Sequence, residues 1–167
     1  DEMKKGDICL IINPNNPTGH TLNKRDLEDV LYRISKRKAR AVIDISWANT
    51  VFDNNNQINL SEVAEIALRY DAILLVGLTK LFGVTGVRCS GVIANPKTIE
   101  KFIKRHTELV VSCSPFDEYL IRKFIEKPPV NWENIKPELR TQRDNTIKLL
   151  QDKLPDINIA KPEAGIF

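Results

Sequence analysis

Short, nearly continuous apolar runs are the feature that most constrains the fold of this chain. They span residues 7–13, 39–45, 72–78 and 89–94. Runs of this length are typical of strands that are buried on both faces of a parallel sheet. Stretches with apolar residues at helical spacing lie between them. The alternation predicts an α/β fold, a three-layer α/β/α sandwich built on a mostly parallel sheet.

Polar residues mark the predicted helix starts, because their side chains can accept hydrogen bonds from the first free backbone amides of a helix. We expect Asn23 and Ser61 to cap the first two helices and Asn95-Pro96 to start the next. Two further helices are predicted over residues 115–126 and 131–154, and a short last strand over residues 157–160.

Composition and charge exclude several classes of function. A formal net charge of +3 is too small to indicate a nucleic-acid-binding protein, and the longest apolar run is too short to cross a membrane. The cysteines Cys9, Cys89 and Cys113 lack the spacing of a metal site. We therefore expect a cytoplasmic protein with no metal, no nucleic-acid partner and no membrane partner.

Three loops that follow predicted strands carry unusual residues. The first reads NPNNPTG at residues 13–19, the second follows Asp44, and the third contains Lys80 and Arg88. In parallel sheets, ligands bind beyond the carboxyl ends of the strands, where these loops begin. Taken alone, each loop also has an ordinary structural explanation: the first could be a turn, Asp44 could anchor its loop, and Lys80 could be a surface lysine. Directly after an apolar strand, however, the Lys80 amine is expected to be partly desolvated and nucleophilic.

Together and in this order, the three loops resemble the class I/II aminotransferases, the family typified by aspartate and histidinol-phosphate aminotransferases. The family carries an Asn-Pro-x-x-Pro-Thr/Ser-Gly loop, then a strand-terminal Asp, then a Ser-x-Ser-Lys-x-x-Gly-x-x-Gly-x-Arg segment. The chain matches the first loop fully and keeps Asp44, Lys80 and Arg88. The resemblance extends over the whole chain and implies part of the large domain of a fold-type I enzyme that uses pyridoxal 5'-phosphate.

The resemblance implies a role for each residue at the cofactor. Lys80 would form the Schiff base with the cofactor aldehyde and then move the substrate proton, and Asp44 would pair with the pyridine nitrogen. Asn16 would donate a hydrogen bond to the phenolic oxygen of the ring. Thr79 and Arg88 would bind the phosphate. The Asn16-Pro17 bond is expected to be cis, as in the family.

Two positions depart from the family pattern. Trp47 stands where the family usually has a tyrosine, and we expect the indole N–H to donate to the phenolic oxygen in altered geometry. Gly77 stands where the family usually has a serine that contacts the phosphate. The loss of that hydroxyl predicts weaker cofactor binding than is usual for the family.

The resemblance also predicts the organisation of the whole protein. Residues 1–155 are interpreted as a partial large cofactor-binding domain and residues 156–167 as the start of a truncated C-terminal small domain. The substrate arginine of the family lies in that small domain, so the 167-residue fragment alone is expected to be inactive. The full-length protein would be a homodimer that acts on an amino acid and a 2-oxo acid.

Alternative functions remain open from the sequence. A decarboxylase, a lyase or a cyclising synthase of the same fold would begin with the same Schiff base on Lys80. A regulatory domain that binds pyridoxal phosphate without catalysis belongs to another class. A nucleotide-binding domain is disfavoured, because the chain contains neither Gly-x-Gly-x-x-Gly nor a Gly-Lys-Ser/Thr turn. His20 is interpreted as a surface residue and Trp132 as a packing residue.

Overall fold

A four-stranded sheet forms the centre of the fold in the computed structural model, which describes residues 3–53 and 58–166. The strands are β1 (Ile8–Ile12), β2 (Arg40–Asp44), β3 (Ile73–Val76) and β4 (Gly91–Ile93), and they are ordered β1-β2-β3-β4. The first three are parallel and β4 pairs antiparallel with β3. The mostly parallel sheet agrees with the predicted α/β class, and the strands lie within the four apolar runs.

The helices of the described residues are α1 (Lys24–Lys36), α2 (Leu60–Arg69), α3 (Leu78–Leu81), α4 (Pro96–Val110), α5 (Pro115–Glu126) and α6 (Trp132–Lys153), with a short 3-10 helix at Ala48–Thr50. Asn23 and Asn95 cap α1 and α4 as predicted. The loop predicted to carry Lys80 begins instead as the single helical turn α3.

Two predictions from the sequence are wrong. The cap of α2 is Asn59, not Ser61: the helix begins at Leu60, so Ser61 already lies in its first turn, and Asn59 Oδ1 accepts from the Glu62 amide at 2.9 Å. Residues 157–160 form no strand. They pair with none of the four described strands, and a strand without a neighbour leaves its backbone groups unpaired.

The main core lies between the sheet and helices α1 and α2. Its most deeply buried side chains include Leu27 of α1, Ile66 of α2, Ile43 of β2 and Leu74 of β3. Because apolar residues recur on one side of each helix, the burial of that side holds both helices on the sheet. A second, smaller cluster of Phe82, Val87 and Ile121 packs α5 against the segment that follows α3.

A segment near the C-terminal end of the chain holds the loop that follows β1. The Glu163 carboxylate accepts hydrogen bonds from the Thr21 amide and hydroxyl, each at 2.8 Å. The Gly19 carbonyl accepts from the amides of Glu163 at 2.9 Å and Ala164 at 3.0 Å. Gly19 has a φ of +69°, and a Cβ there would lie 2.5 Å from Pro162 Cβ. Only glycine therefore fits at this contact.

The same segment also holds the turn that follows β2. The Phe52 amide donates to the Glu163 carbonyl at 3.0 Å, and the Gly165 amide donates to the Thr50 hydroxyl at 3.0 Å. We call residues 163–165 the bridging segment, since they join two loops that are distant in sequence. The assignment of residues 156–167 to a second domain stays a prediction; residues 163–165 pack on the first.

Truncation of a core side chain should test the packing of α1. Leu27 is fully buried, so Leu27→Ala is expected to lower the free energy of unfolding by about 2–5 kcal/mol through lost burial and the cavity left behind. Arg25→Ala, on the exposed side of the same helix, should change it by less than about 0.5 kcal/mol. Urea unfolding measures both, and equal effects would contradict this packing.

The negative charge of Glu163 should make the stability that the bridging segment contributes depend on pH. Burial opposes ionisation of this carboxyl, but the hydrogen bonds from Thr21 and the nearby His20 outweigh it, and the pKa of Glu163 lies below its ordinary value. A lowered folded-state pKa stabilises the protein above the unfolded-state pKa of about 4.3, and the contribution is lost as pH falls through the folded-state pKa.

Glu163→Gln should therefore lower the free energy of unfolding at pH 7 by about 1 kcal/mol, a value reduced for solvent screening because this side chain is 40% exposed. The difference from the unmodified protein should shrink progressively below about pH 4. Urea unfolding at several pH values measures it, with Glu100→Gln on the exposed side of α4 as the control. A difference that does not change with pH would contradict the role of the carboxylate.

Candidate functional site

The carboxyl ends of β1, β2 and β3 meet at one edge of the sheet. Asp44, the last residue of β2, is in register with Ile12 on one side and Leu75 on the other. Hydrogen bonds continue one step beyond the strands, from the Asn13 amide to the Asp44 carbonyl at 2.9 Å and from the Ile45 amide to the Leu75 carbonyl at 3.1 Å. The three loops that the sequence singled out therefore start side by side.

The loop after β1 is closed by Asn13. Its side chain donates to the Leu22 carbonyl at 3.1 Å and accepts from the Leu22 amide at 2.8 Å, so both ends of the loop are joined. Asn16 lies exposed within this loop. The Asn16-Pro17 bond is cis, as the resemblance implies, and Asn13-Pro14 is cis as well.

The Asp44 carboxylate is held by the turn that follows it. Its Oδ1 atom accepts from the Ser46 amide at 2.8 Å and from the Ser46 hydroxyl at 2.6 Å. Both donors come from the same residue and bind the same oxygen. The carboxylate is half-buried at the sheet edge, and it is fixed in one orientation there.

Lys80 reaches the same turn from the neighbouring strand. It lies in α3, which follows β3 directly, and its Nζ atom is 5.1 Å from the centroid of the Trp47 ring. A cation over the face of an indole is attracted by the negative potential of the ring. The amine of Lys80 and the turn after Asp44 are therefore on the same side of the sheet edge.

A second contact joins α3 to this turn. A Cβ built on Gly77, the residue before α3, would lie 2.2 Å from Ser46 Oγ and 2.7 Å from Ser46 Cβ. The Lys80 amide in turn donates to the Gly77 carbonyl at 3.1 Å. Contacts thus lead from Asp44 through Ser46 and Gly77 to Lys80.

The other predicted site residues lie on the periphery of this group. Thr79 is half-buried, and its carbonyl accepts from the Val84 amide at 2.8 Å. Arg88 is exposed, and its guanidinium donates to the Thr85 carbonyl at 3.2 Å. The structure gathers Asp44, Trp47 and Lys80, whereas Arg88 and Asn16 are exposed on their own loops.

Sequence reasoning missed several residues that shape this site. Ser46 binds Asp44, Asn13 closes its loop, and Glu163 anchors the bridging segment. Trp132, interpreted only as a packing residue, donates from Nε1 to the Leu81 carbonyl at 2.7 Å, at the end of α3. A signal existed only for Ser46, because an Asp side chain in a turn often accepts a hydrogen bond from the backbone amide two residues later.

Within residues 3–53 and 58–166, no three His, Cys, Asp or Glu side chains are grouped so that they could hold a metal ion together. Across the same two ranges, no helix combines the length and the apolar character that a membrane span needs.

Comparison with known proteins gives relatives over the whole chain. A histidinol-phosphate aminotransferase of Buchnera aphidicola subsp. Diuraphis noxia is 26% identical over 151 residues, which are 90% of this chain and 34% of that protein. An aspartate aminotransferase of Pyrococcus abyssi is 26% identical in an alignment of 174 positions that covers 100% of this chain and 44% of that protein. An L-serine phosphate decarboxylase of Sulfurospirillum multivorans is 25% identical over 126 residues, which cover 75% of this chain and 31% of that protein. The chain spans less than half the length of each relative.

Solved structures share the fold. A putative aminotransferase from Clostridium difficile 630, bound to pyridoxal phosphate, superposes with a TM-score of 0.80 at 18% identity, over 96% of this chain and 42% of that one. A C-S lyase from Staphylococcus hominis, also bound to pyridoxal phosphate, superposes with a TM-score of 0.77 at 19% identity, over 95% of this chain and 40% of that one. These likenesses confirm the predicted fold class, an α/β fold on a mostly parallel sheet.

The family resemblance is confirmed by a direct match. The model of the family described as aminotransferase class I and II matches residues 1–167. Because that match extends over every residue of the chain, the protein belongs to the class I and II aminotransferase family.

Proposed function

We propose that the full-length protein transfers an amino group between an amino acid and a 2-oxo acid, with pyridoxal 5'-phosphate held as a Schiff base on Lys80. The observation that carries this proposal is the approach of the Lys80 amine to the Trp47 ring, in the turn that follows Asp44. One amine and one carboxylate at one sheet edge are the two groups that the cofactor needs at its opposite ends.

When bound, pyridoxal phosphate supplies a protonated ring that accepts the electron pair released at the substrate Cα. Asp44 holds the proton on the ring nitrogen. Ser46 binds only Oδ1 of this carboxylate, and a carboxylate has two acceptor oxygens, so Oδ2 retains the capacity to accept the ring N–H. The Asp44 carboxylate at this edge is therefore suited to the ring nitrogen of pyridoxal phosphate.

Lys80 binds the cofactor and then moves a proton. Its amine would hold the cofactor through the aldehyde group, as a Schiff base. With substrate at the site, the Lys80 amine would be the base that accepts the proton from the substrate Cα and later returns it. The Trp47 face covers one side of the amine and limits the positions that it can occupy.

Asn16, Thr79 and Arg88 are proposed as further cofactor contacts. Arg88 uses one guanidinium N–H for the Thr85 carbonyl and has other donors that could bind a phosphate. Since the side chain is exposed, it can turn toward the phosphate at little cost. Asn16 would donate to the phenolic oxygen from the loop that Asn13 closes, and the Trp47 N–H would donate to the same oxygen.

The cellular setting of the protein is part of the proposal. All three cysteines are free, which is compatible with a reducing compartment and supports a cytoplasmic location. We propose a homodimer when full length, with amino acids and 2-oxo acids as its small-molecule partners.

A second reaction type is supported by the relatives. One of them is an L-serine phosphate decarboxylase, and a solved neighbour is a C-S lyase. The roles of Lys80 and Asp44 would be common to these reactions, because transamination and C-S cleavage both begin with loss of the Cα proton, and decarboxylation breaks another bond at the same Cα. Incubation with amino acids and a 2-oxo acid separates the possibilities. A new amino acid indicates transamination, carbon dioxide indicates decarboxylation, and the absence of turnover with bound cofactor favours a non-catalytic domain.

Borohydride trapping should test the role of Lys80. The reagent reduces a C=N bond to a stable amine, so reduction of the full-length protein with pyridoxal phosphate is expected to leave a pyridoxyl group on Lys80. Lys80→Ala should abolish the adduct, whereas Lys97→Ala, at an exposed lysine of α4, should retain it. Peptide mass mapping locates the group, and an adduct on another lysine would refute the assignment.

Replacement of Trp47 should alter the acidity of the Schiff base. An indole N–H that donates to the phenolic oxygen stabilises its negative charge and makes it a weaker acceptor for the Schiff-base proton. Trp47→Phe removes this donor, so the pKa of the Schiff base should rise by up to about one unit, which corresponds to one hydrogen bond. Absorbance titration measures the shift, with Tyr32→Phe on the exposed side of α1 as the control. An unchanged titration would count against the bond.

A further inference from the structure

Position 77 needs a glycine because of the space taken by Ser46, and not because of its own backbone conformation. Its φ of −78° and ψ of 83° do not lie in the left-handed region that favours glycine. A Cβ at this position would, however, lie 2.2 Å from Ser46 Oγ, 2.7 Å from Ser46 Cβ and 3.2 Å from Ser46 Cα. Rotation of the Ser46 hydroxyl could relieve only the first of these contacts. Any side chain at position 77 would therefore displace the turn that follows β2.

Ser46 uses this space to bind a carboxylate. Its hydroxyl donates to Asp44 Oδ1 at 2.6 Å, a length typical of a hydrogen bond to a charged acceptor. The Ser46 amide donates to the same oxygen at 2.8 Å. The family usually has a serine at position 77, so this chain lacks a hydroxyl at that position and has one on Ser46 that faces Asp44.

We propose that Ser46 is a positioning residue for Asp44, and that Gly77 provides the space that it needs. The proposal rests on the proposed function, in which Asp44 meets the ring nitrogen of the cofactor. Ser46 holds Oδ1 so that the other carboxylate oxygen faces the ring. Gly77 and Ser46 thus form a coupled pair, because a side chain at position 77 would displace Ser46 and with it the hydrogen bonds to the Asp44 carboxylate.

The steric half of the pair is tested on the full-length protein without cofactor. Gly77→Ala should lower the urea midpoint, because the new methyl group overlaps Ser46. Ser46→Gly removes the two atoms that overlap most, Oγ and Cβ, so the double variant Ser46→Gly/Gly77→Ala should recover most of the stability lost by Gly77→Ala. Gly91→Ala in β4 is the control, since its Cβ would meet only Val76 Cβ at an ordinary 3.7 Å. Additive effects of the two substitutions would overturn the coupling.

The positioning half is tested by cofactor binding and by spectroscopy. Ser46→Ala removes only the hydroxyl, and pyridoxal phosphate should bind up to about tenfold more weakly, as expected for a hydrogen bond to a charged group. The pH dependence of the cofactor absorbance should also shift, which a merely structural change would not cause. In turnover, kcat should fall while KM for the amino acid stays nearly constant, because Asp44 faces the cofactor and not the substrate.

Ser61→Ala is a matched control for this experiment. The Ser61 hydroxyl donates to Asn59 Oδ1 at 2.6 Å, the same distance over the same separation in sequence, but it is exposed on α2. Its removal should leave cofactor affinity and spectrum unchanged. If the unmodified protein binds pyridoxal phosphate and Ser46→Ala matches it in affinity and spectrum, this inference alone fails. If the unmodified protein binds none, the proposed function fails with it.

Discussion

The parallel pairing of β1, β2 and β3 is the constraint on which the site depends. Asp44 is in register with Ile12 and Leu75, so three loops begin at one edge and their side chains can meet. The register is fixed by the core, because Ile43 and Ile45 on either side of Asp44 are both buried. A slip of one residue would turn these side chains away from the core and Asp44 into it. The packing that folds the chain therefore also orients the carboxylate.

The loops at this edge rely on residues far away in sequence. The bridging segment of residues 163–165 binds Gly19 and Thr21 on one side and Thr50 and Phe52 on the other. Asn16 and Trp47 belong to the two loops that are held in this way. One short segment therefore supports both of the loops that lie beside Asp44. The loops around the candidate cofactor site are therefore held by residues that are distant in sequence.

The sequence predicted those features that depend on local pattern or on the family motifs. Strand positions follow from apolar runs, and the placement of Asp44 and Lys80 follows from the strand ends. The cap of α2 was missed because Asn59 and Ser61 both suit the position, and only the start of the helix at Leu60 decides between them. Residues 157–160 have a strand-like composition, but a strand also needs a neighbour, which composition does not reveal. The contact between Ser46 and Gly77 joins residues of two different loops, and no periodic pattern in the sequence predicts such a contact.

The two departures from the family pattern are connected in space. Trp47 follows Ser46 in the turn, and Lys80 lies three residues after Gly77, one helical turn away on the same side of α3. Ser46 packs against Gly77 while Trp47 contacts Lys80, so two adjacent residues of the turn meet two residues that are three positions apart. A larger residue at position 77 would push the turn outward and shift the indole relative to the amine. The glycine and the tryptophan are therefore parts of one local arrangement, in which the turn after β2 packs against Gly77 through Ser46 and against Lys80 through Trp47.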